Sequence, residues 1–172
     1  MEQAVQAHGG MINKFLGDGF LALFGLPIPG ESIATMALRS AVALVETNVR
    51  LNLLRTERGD ERLEIGVGIH LGNVIAGNIG STSRSEYTVI GDTVNLASRI
   101  EGLSKRFGVP IVCSDDVLVR YRKECSAALA VSPERDAALE RFLTDYGRQE
   151  IRGRAEPVRI WAGDPTKDRP TQ

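Results

Sequence analysis

Apolar residues that alternate or recur at helical spacing predict a mixture of strands and helices along the chain. The first third of the chain predicts a short helix over 1–8 and two strands, 11–16 and 20–24, joined by the tight-turn sequence Gly17-Asp18-Gly19. The second of these strands is apolar on both faces, which indicates a central place in a sheet. Apolar positions between Ser32 and Arg55 recur at helical spacing and predict a long amphipathic helix.

The middle of the chain predicts two further strands and the helix that follows them. Residues alternate from Leu63 to Leu71, as in a half-buried strand. Glycine is frequent over 72–80, which indicates close backbone approach or a bulge, and 81–86 is predicted to be a polar loop. The β-branched and aromatic run 87–90 predicts a strand. Asp92 is then predicted to be a helix N-cap, because its carboxylate can accept hydrogen bonds from the first turn.

The last third predicts a short helix and three more strands. The helix runs from Asp115 to about Tyr121, and the polar, alanine-rich segment 123–141 is interpreted as a loop or a loose helix. The strands cover 109–113, 142–151 and 158–161, and the polar tail 163–172 is predicted to be disordered. Because helices and hairpin-like strand pairs are mixed, the pattern favours an α+β sandwich over a doubly wound parallel sheet.

Composition narrows the function classes. The 172 residues suggest one domain, and a net charge of -1 gives no basic footprint for nucleic acid. No apolar run is long enough to span a bilayer, so no membrane contact is expected from this sequence. The two cysteines, Cys113 and Cys125, do not suggest a disulfide framework, and a reducing, cytoplasmic compartment is expected.

A few polar residues stand in positions where they could carry chemistry. Asn95 and Arg99 are four residues apart near a helix start, so their amide and guanidinium could engage a sugar hydroxyl and a phosphate. A solvated helix face is the simpler interpretation of that pair. Asp18, between two glycines, could hold Mg²⁺, although Gly-Asp-Gly is also ordinary turn chemistry.

Two basic features have the same two interpretations. Lys14 lies in an otherwise apolar strand and could either serve a ligand or extend from a sheet edge. Arg152 and Arg154 flank Gly153 and could grip a polyphosphate, or they could simply belong to a solvated turn. The sequence has no histidines at ligand spacing and no Gly-x-Ser-x-Gly motif, so neither a zinc site nor acyl-transfer chemistry is predicted. The glycine-rich stretch 72–80 lacks the Lys-Ser/Thr ending of a P-loop, so a P-loop is not predicted either.

Taken together, these motifs resemble the class III adenylate and guanylate cyclases. The matching stretches include Lys14-Phe15-Leu16-Gly17-Asp18, Gly77-Asn78-Ile79-Gly80-Ser81 and, most specifically, the run from Tyr87 to Arg99. The resemblance extends from Met1 to about Trp161. It implies a ferredoxin-like (βαββαβ-type) α+β sandwich, with a catalytic domain over 1–162.

The resemblance also implies an activity and an assembly. Members of this family convert ATP or GTP to a 3′,5′-cyclic nucleotide and pyrophosphate, and they work as dimers with sites at the subunit interface. Two aspartates of one subunit hold two Mg²⁺ or Mn²⁺ ions, and the partner supplies the other site residues. For this chain the expected function is an adenylate cyclase that binds ATP, as a homodimer or paired with a second cyclase domain.

The resemblance assigns roles position by position. Asp18 matches a metal-binding aspartate, and Lys14 with Thr88 matches the purine-selecting pair in its ATP-using form. Asn95 matches the asparagine that orients the ribose, and Arg99 matches the arginine of the transition state. Arg152 stands where the family usually has a phosphate-binding lysine.

The sequence departs from the family pattern before Lys14. The other metal aspartate of the family lies on an opening strand, in a Phe-x-Asp context, and this sequence shows no such motif. We therefore expect this sequence to lack the first strand, the first helix and one metal ligand. An alternative function is a non-catalytic cyclase-homology module that dimerises or binds nucleotide to regulate a partner. The segment 123–141 has no assigned counterpart.

Overall fold

The structure, a computed structural model, describes residues 1–27, 30, 32–81, 84–128 and 139–167. Helices cover small sheets in this part of the chain, and the α+β class is confirmed. The elements in chain order are α1 (Glu2–Gln6), β1 (Met11–Leu16), β2 (Gly19–Leu23), α2 (Ile33–Glu57), β3 (Val67–Ile69), β4 (Ile75–Ser81), β5 (Arg84–Ile90), α3 (Asp92–Glu101), α4 (Leu103–Phe107), β6 (Ile111–Ser114), α5 (Asp115–Ala128), β7 (Leu143–Gln149) and β8 (Val158–Gly163).

Hairpins dominate the strand pairing. The largest sheet has the order β3-β6-β8-β7, in which β3 runs parallel to β6 and the other pairs are antiparallel. The hairpins β1-β2 and β4-β5 form two further sheets. Within the described residues β2 pairs with β1 alone, so the predicted central position of this strand is wrong. Its apolar side chains are half-buried, which accounts for the apolar pattern.

The core lies on both faces of the largest sheet, and β6 separates its two halves. Ile111 and Cys113 face a cluster that α2 and α5 complete, while Val112 faces α3. All three side chains are fully buried, as expected of a central strand. Each such aliphatic side chain contributes about 1.5–3 kcal/mol relative to an exposed one. The side chains that α2, α3 and α5 bury against β6 include Leu38, Ala41, Val45, Leu96, Ile100, Leu118 and Tyr121.

The strand predicted over 63–71 is shorter in the structure. Regular pairing is confined to β3, because side chains of α2 hold the chain before it. The amide of Asn52 donates to the Leu63 carbonyl (2.8 Å), and its oxygen accepts from the Leu63 N–H (2.8 Å). Asn48 donates to the same carbonyl at 2.9 Å. These side-chain bonds satisfy the backbone groups that a strand would use.

The polar loop predicted over 81–86 is also corrected. Residues 84–86 belong to β5, which pairs with β4 from Ile75 opposite Ile90 to Ser81 opposite Arg84. Backbone pairing does not require apolar side chains, and for that reason the polar sequence concealed the strand. Residues 82–83 lie outside the described residues.

The predicted ends of two C-terminal elements also move. Helix α5 continues to Ala128, beyond the predicted end at Tyr121, and 129–138 lie outside the described residues. Strand β8 continues to Gly163, and Asp164 then closes a turn by accepting from the N–H and hydroxyl of Thr166. The rest of the predicted tail, 168–172, is outside the described residues. No helix among those described is long and apolar enough to cross a membrane.

Helix α5 extends further because Glu124 has a structural partner. Glu124 is 7% exposed, and its carboxylate accepts from the N–H groups of Ala34 (3.1 Å) and Thr35 (2.8 Å) and from the Thr35 hydroxyl (2.8 Å). Arg120, one turn earlier on α5, donates to the same carboxylate at 2.8 Å. Glu124 therefore caps the first turn of α2 from a different helix, at the end where negative charge is favourable.

Replacing this cap is expected to destabilise the fold. Glu124→Leu leaves two buried N–H groups of α2 unpaired, so the free energy of unfolding should fall by about 2–3 kcal/mol in urea titrations. Thr35→Val removes only one donor and should cost about 1 kcal/mol. Equal losses in the two variants would contradict the capping role.

A second prediction concerns His70, which follows β3 and is only 6% exposed in its side chain. Its Nδ1 lies 2.8 Å from the Ser114 hydroxyl and 3.9 Å from the Asp116 carboxylate. Burial lowers the pKa of His70 below its usual 6.5; the Arg154 charge lowers it further, and Asp116 and Asp92 oppose the shift. In the unfolded chain this histidine takes up its proton near pH 6.5, before the folded protein does.

The free energy of unfolding should therefore fall as the pH drops below 6.5, and it should level off once folded His70 is protonated. His70→Asn keeps a polar partner for Ser114 and should reduce that fall, as measured by urea titrations between pH 7.5 and 5. Identical pH dependence in the two proteins would contradict the prediction.

Candidate functional site

Helix α3 lies directly on strand β3, and this close packing places the predicted site residues. A Cβ on Gly68 would come within 2.4 Å of the Glu101 nitrogen and 2.6 Å of the Ala97 carbonyl oxygen, so only glycine fits there. The helix buries Leu96 and Ile100. Its other face exposes the side chains of Asn95 and Arg99, one turn apart.

The start of α3 differs from the prediction. Gly91, with φ 151°, is the N-cap, and Asp92 is the first helical residue, so its predicted role as the N-cap is wrong. No side chain caps this helix. The Asp92 carboxylate instead pairs with Arg154 of the β7-β8 loop at 2.8 Å. A long-range partner therefore outcompetes the local cap, and both ends of the pair remain partly exposed.

The same loop contacts α3 a second time. Gly153 has φ +77°, and a Cβ placed on it would lie 3.0 Å from Nη1 and 3.4 Å from Nη2 of Arg99. The Arg99 guanidinium thus lies on the face of Gly153 where a side chain would project. Arg152, exposed and adjacent to Gly153, lies in the same loop. The predicted pair Asn95 and Arg99 and the predicted Arg152 are thereby brought to one surface.

Asp18 lies at the tip of the β1-β2 hairpin, exposed, after Gly17 with φ +65°. It is the only acidic residue between Met11 and Phe24. Across the described ranges, no group of three or more His, Cys, Asp and Glu side chains could hold a metal ion. One carboxylate together with substrate phosphates suits a single Mg²⁺, but it does not make the two-ion site that the resemblance implies.

A bulge in β1 joins this hairpin to β5. Ile12 pairs with Ala22 and Lys14 with Leu21, so Asn13 is the extra residue. The Asn13 amide donates to the Tyr87 carbonyl (3.0 Å), and its oxygen accepts from the Thr88 hydroxyl (3.2 Å).

Lys14, exposed, directly follows this contact. The backbone of Lys14 therefore lies next to the residue that bonds Thr88, its predicted partner in base selection. Sequence reasoning missed Asn13, since nothing in the local pattern marks the bulge.

The site residues thus form two groups on one chain. Lys14 and Thr88 lie where β1 meets β5, while Asn95, Arg99 and Arg152 lie along α3 and the loop beside it. Asp18 stands at the tip of the hairpin that also carries Lys14. Sequence reasoning also missed Gly153 and the partner of Arg154. The sequence Arg152-Gly153-Arg154 was the available signal, because it marks a turn with a charged residue on each side of a glycine.

Comparison with known proteins places this arrangement in a family. The sequence model of the adenylate and guanylate cyclase catalytic domain matches residues 1–134. Adenylate cyclase of Anabaena cylindrica is 39% identical over 122 residues, which cover 69% of this chain and 23% of that protein. Adenylate cyclase 1 of Rhizobium meliloti is 35% identical over 120 residues, covering 70% and 18% respectively. The chain therefore spans about a quarter or less of these relatives.

Solved structures agree with this assignment. The guanylyl cyclase Cya2 superposes with a TM-score of 0.71 at 31% identity, covering 94% of this chain and 73% of that one. The adenylyl cyclase CyaB of P. aeruginosa gives a TM-score of 0.67 at 26% identity, covering 94% and 74%. Divalent metals, nucleotide substrates and dimers are general in such cyclase domains. By its motifs, its fold and these matches, the chain belongs to the class III adenylate and guanylate cyclase catalytic domain family.

Proposed function

We propose that residues 1–162 form an adenylate cyclase domain that converts ATP to 3′,5′-cyclic AMP and pyrophosphate. The observation that carries the proposal is the Arg99 guanidinium, which lies against the loop that bears Arg152 while Asn95 projects from the same helix. Two cations and an amide at one exposed surface suit a ribose linked to a polyphosphate. We expect the domain to act in the reducing cytoplasm, which agrees with the absence of a disulfide between Cys113 and Cys125.

Each proposed role follows from the chemistry of ring closure. The ribose 3′-oxygen, whose proton passes to water, attacks the α-phosphorus in line. The bond between the α-phosphorus and the oxygen that bridges to the β-phosphate then breaks, and pyrophosphate leaves. Arg99 stabilises the charge that develops on the α-phosphate, a preorganised electrostatic role. Asn95 fixes the ribose, and Arg152 holds the phosphates that leave. Asp18 would hold a Mg²⁺ or Mn²⁺ ion, which neutralises phosphate charge when bound.

Lys14 and Thr88 are proposed to select the base. A lysine donates hydrogen bonds, which suits the ring nitrogen acceptors of adenine, and a hydroxyl can accept from the exocyclic amine of adenine. Asn13, bonded to Thr88, would then fix the orientation of that hydroxyl. The relatives from Anabaena and Rhizobium carry the name adenylate cyclase, which supports ATP as the substrate.

The chain is proposed to act as a homodimer or paired with a second cyclase domain. Apolar residues are exposed on the hairpins, where Ile75 (69%) lies opposite Ile90 (49%) and Phe15 is 70% exposed. Exposed apolar patches of this kind mark interaction surfaces. In such a dimer Asp18 of one subunit would serve the nucleotide held by Lys14, Asn95 and Arg99 of the partner.

A second candidate is a non-catalytic cyclase-homology module that dimerises or binds nucleotide to regulate a partner. The observation that favours this candidate is the single carboxylate at the hairpin tip. A dimeric wild-type chain that binds ATP and forms no cyclic AMP would support it.

Complementation between inactive variants tests the enzyme. With ATP and Mn²⁺, Arg99→Ala and Asp18→Ala should each reduce cyclic AMP formation by about 10²–10³-fold. Mixed Arg99→Ala and Asp18→Ala chains should recover about a quarter of wild-type activity, since half the dimers carry one intact site. Arg99→Ala mixed with Asn95→Ala is the control, because those residues serve the same half-site, and it should recover nothing. Equal recovery in both mixtures would contradict the proposed assembly.

Base selectivity gives an independent test of Lys14. A carboxylate at this position accepts hydrogen bonds, which suits the N–H groups of guanine and leaves the adenine acceptors unpaired. The Lys14→Glu variant should therefore lower the ratio of kcat/KM for ATP over GTP by about tenfold or more. An unchanged ratio would exclude Lys14 from base recognition.

A further inference from the structure

The orientation of the Arg99 guanidinium is the feature that its neighbours have to fix. An exposed arginine side chain has many rotamers, and an electrostatic role in catalysis requires the guanidinium to be fixed before the reaction. In the described part of the chain the guanidinium lies against Gly153. Its Nη1 and Nη2 atoms are both close to the point where a Cβ on Gly153 would stand. The guanidinium thus lies beside the Gly153 backbone, where any other residue would carry its side chain.

Gly153 is distinguished from other glycines by this contact. Its φ of +77° resembles that of Gly147, at +71°, in the strand before the same loop. A Cβ on Gly147 would meet nothing within 4 Å, whereas a Cβ on Gly153 would reach 3.0 Å from Arg99 Nη1. Alanine at either position would have to adopt a positive φ, and only at Gly153 would the added Cβ also crowd Arg99.

The loop is fastened along α3 by a second contact. Asp92 and Arg99 are seven residues apart, two helical turns, and so lie on the same face. Arg154 pairs with Asp92 at 2.8 Å while its neighbour Gly153 lies under Arg99. The loop therefore runs alongside α3 and contacts it at two points. Arg154 thus ties the loop to the first turn of α3, and Gly153 meets the Arg99 guanidinium in the last turn.

We propose that Gly153 and the Asp92–Arg154 ion pair are positioning elements for Arg99, and that they hold its guanidinium in the direction required by the α-phosphate of the nucleotide. The catalytic part of this inference rests on the proposed cyclase activity. The ion pair is partly exposed on both sides, 36% and 58%, so it contributes little to stability. Its loss should therefore act on catalysis far more than on folding.

The first arm compares Gly153→Ala with Gly147→Ala in the full chain. Both variants should lose a similar amount of stability in urea titrations. Gly153→Ala should lower kcat by about tenfold with KM for ATP within about twofold, because the ground-state phosphate contacts remain. Gly147→Ala should keep the wild-type kcat. Equal kcat in the two variants would overturn the role of Gly153.

The second arm separates positioning from direct phosphate binding by Arg154. If Arg154 positions the loop, Asp92→Asn and Arg154→Gln should lower kcat alike, and the double variant should lose no more than either. Arg154→Lys keeps the charge and should restore most of the activity. If Arg154 instead binds phosphate, Arg154→Gln should raise KM and Asp92→Asn should not. That pattern would overturn the proposal.

A third readout does not depend on activity. The ¹⁵N–¹H heteronuclear NOE of the Arg99 Nε–H group, assigned by its loss in Arg99→Lys, reports the order of that side chain. It should fall in Gly153→Ala and Asp92→Asn and stay at the wild-type value in Gly147→Ala. An inactive wild-type chain would refute the proposed function. The NOE would still decide the positioning, and an unchanged NOE in Gly153→Ala would overturn it.

Discussion

The packing of α3 on β3 without intervening side chains is the constraint on which the rest of the site depends. Residue 68 has no room for a Cβ, because the backbone of α3 passes 2.4 Å from where that atom would lie. Residue 66 is similarly crowded, by the side chains of Glu101 and Ser104. A methyl group at 68 would lift the helix from the sheet. Leu96 and Ile100 would lose their burial, and Asn95 and Arg99 would move with them.

The contacts that pack α3 on the sheet differ from the contacts that orient its exposed side chains, and the two sets contribute differently to stability. The packing of α3 on the sheet is built from buried side chains, and truncating one of them to alanine costs about 2–5 kcal/mol. The orientation of Arg99 depends in our proposal on a partly exposed ion pair, which contributes little to stability, and on the contact between Arg99 and Gly153. The chain can therefore lose its proposed catalytic geometry without unfolding. Measurements of stability alone would not detect such a loss.

Features set by local sequence could be predicted, and features set by distant contacts could not. The helix Ile33–Glu57 and the hairpin around Asp18 follow from apolar spacing and from glycine turn chemistry, and both were predicted close to their observed bounds. The alternation around Gly66 and Gly68 predicted a strand with a polar face, yet that face receives α3. Asp92 obeys the local rule for a cap, but Arg154 approaches from the far end of the chain. The resemblance to the family identified the candidate side chains. It did not identify Asn13, Gly153 or Arg154, which contact those side chains or the helix that carries them.

The junction between β5 and α3 connects a residue of each proposed site group, Thr88 and Asn95, through a short stretch of backbone. Gly91 alone separates the strand that carries Thr88 from the helix that carries Asn95, and its φ of 151° is one that a residue with a side chain rarely adopts. Thr93 strengthens the junction by donating from its hydroxyl to the Asn73 carbonyl at 2.6 Å. The distance between a base held at Thr88 and a ribose held at Asn95 is therefore fixed by the fold. The remaining proposed ligand, Asp18, lies at the tip of the hairpin that also carries Lys14, and in the proposed dimer it would serve the nucleotide held by the partner.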